Sequence, residues 1–266
     1  MQKRGGVFSS KSGQVTIFII IGILIVAGAV VFYFLIPKTQ IGTTFDAKNP
    51  QGFMQNCLQP TFDSLVRNIS LQGGSSNPDL YFMYNGSKVE YLCYTAESYT
   101  YCIVQRVLLQ EHMESEVEKA LASPVQSCFD SLVQNYQGEG YTVNLQKGKT
   151  NVLILPNKVI ANMSGYMLNV SKGQSARYTG FNVILDNNLY ELVNVANSIV
   201  DWESTEGDAA MNIYMTYYRD LKAEKMVQGD GTKIYVLTDR NSGLRFQFAS
   251  RSVYLPPGYG LEGVAV

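Results

Sequence analysis

Residues 15–36 read VTIFIIIGILIVAGAVVFYFLI, 22 residues without a charge. A helix of that length rises about 33 Å, enough to span a hydrocarbon layer roughly 30 Å thick. A cleaved secretory peptide has a shorter apolar core, about 7 to 15 residues, followed by small residues at the cut. Here the run continues through Phe32, Tyr33 and Phe34, aromatics suited to a water interface, and Pro37 ends it. Lys3, Arg4 and Lys11 precede the run with no acidic residue among them. That charge bias keeps the short N-terminus cytoplasmic and places the rest of the chain outside, in a single-pass arrangement with the bilayer as its first partner.

The expected fold class is α+β: a transmembrane helix, then helices and antiparallel sheet in an extracytoplasmic domain stapled by disulfides. The layout follows as a cytoplasmic N-terminus (1–14), the membrane helix (15–36), a polar linker (37–48), a helical Cys-containing region with a hairpin (49–140), an antiparallel β-rich region with a covering helix (141–255) and an extended tail (256–266).

The residues ahead of the apolar run, Lys11-Ser12-Gly13-Gln14-Val15-Thr16-Ile17-Phe18, resemble the processing region of archaeal class III (type IV pilin-like) signal peptides. The resemblance implies cleavage between Gly13 and Gln14 by a prepilin-type peptidase, with the anchor retained. Many pilins carry Glu at the fifth position after the cut, where it helps subunits register during assembly; this chain has Phe18. More broadly, the chain resembles a family of uncharacterised membrane-anchored extracytoplasmic proteins of small-genome archaea. The shared features are this anchor, a first Cys helix ending at Leu71-Gln72-Gly73-Gly74, a second Cys helix, the strand GLRFQF at 243–248 and the Pro256-Pro257-Gly258-Tyr259 segment. These motifs are structural, and the family supplies no activity to carry over.

In the outer domain, Asn49 is a favourable N-cap with Pro50 at the first helical position. Phe53, Met54, Cys57, Leu58, Phe62, Leu65, Val66 and Ile69 then recur at helical spacing up to Gly73-Gly74, with Pro60 a possible kink. Strands at 88–95 and 100–104 flank a four-residue loop, a register that sets Cys93 opposite Cys102 within disulfide range. Two further helices are expected at about 107–121 and, capped by Ser123-Pro124, to about 137. An echo, FDSLVRN at 62–68 and FDSLVQN at 129–135, puts Cys57 and Cys128 on similar helix faces. Four Cys allow three connectivities; Cys57–Cys128 with Cys93–Cys102 is the preferred one. No C-x-x-C pair is present for a zinc ribbon.

Strand-like runs follow at 141–145, 152–155, 159–163, 167–170 and 181–185, a meander. A helix with Leu189, Leu192, Val193, Ala196, Ile199 and Val200 on one face covers it. Gly207 interrupts, a short helix near 209–218 is expected, and a second meander at 221–227, 233–239 and 244–253 closes the domain.

Charged residues are 16% of the chain, against roughly 25% in an average soluble domain, while Tyr reaches 18 residues. With net charge −1 and no basic stripe, nucleic acid is not an expected partner. His112 is the only histidine, which argues against Ser–His and His-ligated zinc chemistry and places it on a helix surface beside Glu111 and Glu114. No G-x-G-x-x-G or P-loop appears. Asp201, Glu203, Glu206 and Asp208 cluster around Gly207 with oxygen donors for Ca²⁺, but off the EF-hand spacing; a solvated loop is the preferred reading. Four Asn-x-Ser sequons, at Asn68, Asn85, Asn162 and Asn169, are N-glycosylation acceptors, a number that chance largely accounts for.

No catalysis, cofactor or metal is expected. The ranked expectations are a structural, adhesive or pilin-like surface protein, whose partners are itself or other surface proteins; then a tethered binding module for a carbohydrate or protein, marked by a concave aromatic patch around Trp202; then an extracytoplasmic hydrolase, marked by a deep pocket with two or more perturbed acids.

Overall fold

The computed structural model describes residues 19–25 and 45–253. The chain divides into two units, Met1–Thr44 and Phe45–Val266. In the first, residues 19–25 are helical. Among the described residues no helix is long and apolar enough to cross a membrane. Most of the expected span, its basic flank, Gly13, Gln14, and the 256–266 tail lie outside the described residues.

The second unit opens where Asn49 caps α1 (Pro50–Leu71), its Oδ1 accepting from the Gly52 N–H at 2.9 Å. The helix runs through Pro60 and gives way to Gly73 and Gly74, both at positive φ. The next helix, α2 (Leu109–Gly138), corrects the expectation of two helices. Pro124 sits inside it, without the N–H that its turn would use. Burial overrides that loss: Met113, Val117, Leu121, Val125, Phe129, Leu132 and Tyr136 form one stripe whose phase does not change across the proline. Cys57 and Cys128 join α1 to α2 with Cα atoms 6.0 Å apart.

The first sheet runs β1 (Tyr81–Tyr84), β2 (Ser87–Tyr94), β10 (Arg245–Arg251), β9 (Lys233–Asp239), β8 (Leu221–Val227), with β3 (Ile103–Val104) also on β2. β1 was not expected. Nor was the parallel pairing of β10 with β2, in which Ala249 faces Tyr91 and Arg251 faces Tyr94. That pairing ties the 49–140 region to the 141–253 region within one sheet, and the larger buried cluster draws on both. The expected hairpin register is also off by two: Val104, not Cys102, faces Cys93. The connection is longer than four residues, yet the Cys93–Cys102 disulfide forms across it, with Cα atoms 5.3 Å apart.

The second sheet is built on one long strand, β6 (Lys158–Lys172), which merges the two runs expected at 159–163 and 167–170. A bulge between Met163 and Met167 sets the intervening Ser164-Gly165-Tyr166 against the single Gly180 of the partner strand. β4 (Thr142–Gln146) pairs with the second half of β6 and β5 (Lys149–Leu155) with the first; β7 (Gln174–Asp186) follows the other edge. Gly148, between β4 and β5, crosses so close to the bulge that a Cβ there would stand 2.0 Å from the Ser164 carbonyl oxygen.

Both outer edges of this sheet are met by helix side chains. Glu118 and Glu114 of α2 accept from the Val152 and Ile154 N–H groups of β5, each at 2.8 Å. Gln51 and Gln55 of α1 exchange hydrogen bonds with the backbone of β7 at Asn182 and Ile184. Finally α3 (Leu189–Thr205) lies between the sheets, touching β10, β9 and β2 on one side and β5 and β6 on the other.

An aromatic cavity at the end of α3

The apolar face of α3 is buried as its periodicity requires, Leu189, Leu192, Val193, Ala196, Ile199 and Val200 all facing inward. Its outer face carries Ser198 and Trp202, one turn apart. Past Thr205 the chain turns at Gly207 (φ 78°), where a Cβ would sit 2.4 Å from Val253 Cγ2, so only glycine fits. The turn delivers α4 (Met211–Tyr217) beside the end of α3.

Between the two helices lies a cavity of about 370 Å³ lined by Ser198, Trp202, Asp208, Tyr214, Tyr217 and Tyr218, with Ala210 and Ile213. Its volume falls in the range of small-ligand sites, roughly 300–1,000 Å³. Trp202 is 49% exposed and Tyr217 80% exposed. Ser198 Oγ and the Tyr214 hydroxyl are 2.9 Å apart. The indole N–H of Trp202 and the hydroxyls of Tyr217 and Tyr218 have no hydrogen-bond partner among the described residues.

Beneath the cavity is a buried ionic network. Glu203 is fully buried, and Lys233 donates to both of its carboxylate oxygens at 3.0 Å. The Tyr235 and Ser250 hydroxyls donate to the same carboxylate, the latter at 2.8 Å, and Ser252 donates to the Glu203 carbonyl at 2.6 Å. Lys233 also donates to the Gly207 carbonyl and stands 3.1 Å from Asp208 Oδ1. Asp208, on the cavity rim, takes two further bonds from Lys225 at 2.8 and 2.7 Å. Partial burial opposes its ionisation, but the two lysines outweigh that and hold its carboxyl below the ordinary aspartate range. Burial, then the Glu203 charge, push the Tyr235 phenol far upward.

The acidic loop is therefore not simply solvated. Asp201 and Glu206 are exposed, but Glu203 points into the core, because it continues the stripe of Ala196, Ile199 and Val200. That spacing was a signal available in the sequence. Among the described residues no group of three His, Cys, Asp or Glu side chains is placed to hold a metal.

His112 also departs from a surface position. It is half-buried, its Nε2 2.7 Å from Ser75 Oγ, and Ser75 donates to Glu90 at 2.5 Å. Arg106 donates to the other Glu90 oxygen at 2.8 Å through Nε and 2.6 Å through Nη2. A nucleophile relay needs the carboxylate on the far nitrogen of the imidazole; here it is on the serine, and Ser75 is only 4% exposed. The cluster ties β2 to α2 and to the loop after α1. Of the four sequons, Asn68 and Asn85 are exposed, while Asn162 and Asn169 are half-buried within β6.

No protein-family model, curated protein or solved structure matches this chain.

Proposed function

We propose that this chain is a membrane-anchored cell-surface protein whose outer domain is an adhesive or binding module, with the cavity between α3 and α4 as its binding site. The observation that carries the reading is that cavity: Trp202, Tyr217 and Tyr218 converge on it beside an ionised carboxylate, and large aromatic surface is left exposed at one place. Two disulfides support an oxidising location, and the uncharged run at 15–36 supplies the anchor. Among the described residues Asp208 is the one acid lining this cavity, and Lys225 and Lys233 already pair with it, which does not favour a two-carboxylate hydrolase. A pilin-like role draws its support from the resemblance of Lys11–Phe18 to a prepilin-type processing region and from the anchor that follows, and a mature start at Gln14 in peptide mass spectra would favour it over a plain anchor.

The test uses intact cells carrying the full chain. A membrane-impermeant amine reagent should label the domain lysines without lysis, and Tyr217→Ala should abolish attachment of the cells to their natural substratum or neighbours while leaving the labelling unchanged. Labelling only after lysis, or attachment indifferent to both Tyr217→Ala and Trp202→Ala, would overturn the reading.

A further inference from the structure

A second cavity, about 360 Å³, continues from the first along the same helix. It is lined by Asn157, Asn188, Tyr190, Glu191 and Asn194, and it shares Tyr218 with the aromatic cavity. On α3 the shared wall is a single stripe. Tyr190, Asn194, Ser198 and Trp202 follow at four-residue intervals, so the wall extends about 18 Å. The two cavities are thus halves of one groove with Tyr218 at the middle.

The lining of the groove is aromatic and polar. Tyrosine and tryptophan faces alternate with primary amides and hydroxyls, and aliphatic side chains are nearly absent, Ile213, Ala210 and Pro156 excepted. Flat rings offer stacking surface to the C–H faces of a pyranose, while the amides and hydroxyls both donate and accept. Charge narrows the choice. Asp208 is already satisfied by Lys225 and Lys233, so it adds no net attraction for a cation. Glu191 is the other charged group on the lining, and its carboxylate repels an anion. Among the described residues no lysine or arginine lines either cavity.

We infer that the groove along α3 binds a neutral oligosaccharide, with one sugar subsite on Trp202 and Tyr217, a second among Tyr190, Asn188 and Asn194, and Tyr218 stacking at the junction. This rests on the cavity being the binding site of the outer domain, and adds its ligand class.

Trp202 is the only tryptophan of the chain, so its emission reports occupancy of the first subsite directly. The full chain in lipid nanodiscs is titrated with neutral oligosaccharides of hexose, deoxyhexose and N-acetylhexosamine, graded from one sugar to four. Parallel titrations use uronic-acid oligosaccharides, choline and a mixed peptide pool. The expected result is a saturable shift with neutral glycans whose affinity rises with length. Tyr218→Ala should lower affinity for the tetrasaccharide roughly tenfold and remove the gain from disaccharide to tetrasaccharide. Asn194→Ala, on the solvent face of α3, should weaken only the longer chains, and far-ultraviolet circular dichroism should show both variants folded. A shift produced only by choline, peptides or uronic-acid chains overturns the ligand class while leaving a binding module standing. Affinity independent of glycan length overturns the two-subsite groove. No shift with any probe, together with attachment indifferent to Trp202→Ala, overturns both readings.

Discussion

Lys233→Met tests the ionic network that supports the cavity. The lysine side chain is 11% exposed and its partner Glu203 0%, so the substitution strands a carboxylate in the core. Removing one member of a buried pair typically costs about 3–5 kcal/mol. Glu203 keeps its Tyr235 and Ser250 donors, and Asp208 keeps Lys225, which places the loss near the lower end, about 3 kcal/mol. Glu203→Met strips acceptors from two buried hydroxyls as well as from Lys233, and should cost about 4 kcal/mol. The two changes share one interaction. The double variant should therefore lose about 4 kcal/mol, where independent sites would lose about 7. Urea unfolding of the oxidised protein, followed by circular dichroism and by Trp202 emission, measures all four corners of the cycle. With a slope of about 2 kcal/mol/M, Lys233→Met should move the midpoint by about 1.5 M at unchanged slope. Additivity within about 0.5 kcal/mol would refute the coupling, as would a single-variant shift under about 0.5 M.

Gly148→Ala should cost about 3 kcal/mol, at the top of the usual range for overpacking, because the new methyl meets backbone at Ser164 that cannot rotate away; a fall in Tm of less than about 2 °C would contradict the crossing. The two disulfides should differ in weight. Sequence separations of 71 and 9 give about 4 and about 3 kcal/mol on the chain-entropy model, so paired Cys→Ser variants at Cys57 and Cys128 should unfold at lower urea than those at Cys93 and Cys102. Stability should fall on acidification in two windows. Burial lowers the pKa of His112 from the model-peptide 6.5, so the unfolded chain takes up a proton first and stability declines as pH drops below about 6.5. Glu116 is held at about 2 against the opposing effect of burial, by bonds from Ser76 and Lys119; the stability it contributes is complete above about pH 4.5 and disappears as pH falls towards 2. Glu116→Gln should make the second decline shallower in urea titrations, Asp208 keeping its own share, and leave the first, whereas an unchanged acid limb would remove Glu116 from the account.

What the sequence made legible is local. Asn49-Pro50 marked the start of α1, the Leu189–Val200 periodicity marked α3, and the FDSLV echo placed Cys57 and Cys128 on facing helices. What it hid depends on partners far along the chain. Pro124 reads as a helix boundary until the stripe from Met113 to Tyr136 is seen packed on both sides of it. The parallel contact of β10 with β2 joins residues more than a hundred positions apart, and no turn signal announces it. The sequence names Trp202 only as the residue around which an aromatic patch would mark a binding module; that Tyr217 and Tyr218 line the same cavity depends on the turn at Gly207. Glu203 was readable in part: a carboxylate in phase with Ala196 and Val200 is a buried charge, and a buried charge implies a counter-ion, though not that the counter-ion is Lys233.

The distribution of unsatisfied surface bears on how such a domain meets other molecules. Open sheet edges are the usual route by which folded chains add to one another, since a row of free N–H and C=O groups pairs with any strand. In the second sheet that route is obstructed from both sides, by Glu114 and Glu118 on β5 and by Gln51 and Gln55 on β7. Strand addition at those positions would first have to break helix-to-edge bonds of 2.6 to 3.3 Å. Among the described residues the aromatic groove has no such cover: the Tyr217 and Tyr218 hydroxyls and the Trp202 indole N–H lack partners there, while Asp208 on its lining is held by Lys225 and by the Lys233 of the Glu203 network. A rigid floor under exposed aromatic walls keeps the ordering cost of binding low. At the groove, unlike at the helix-covered stretches of β5 and β7, the fold leaves both apolar area and hydrogen-bonding capacity unspent.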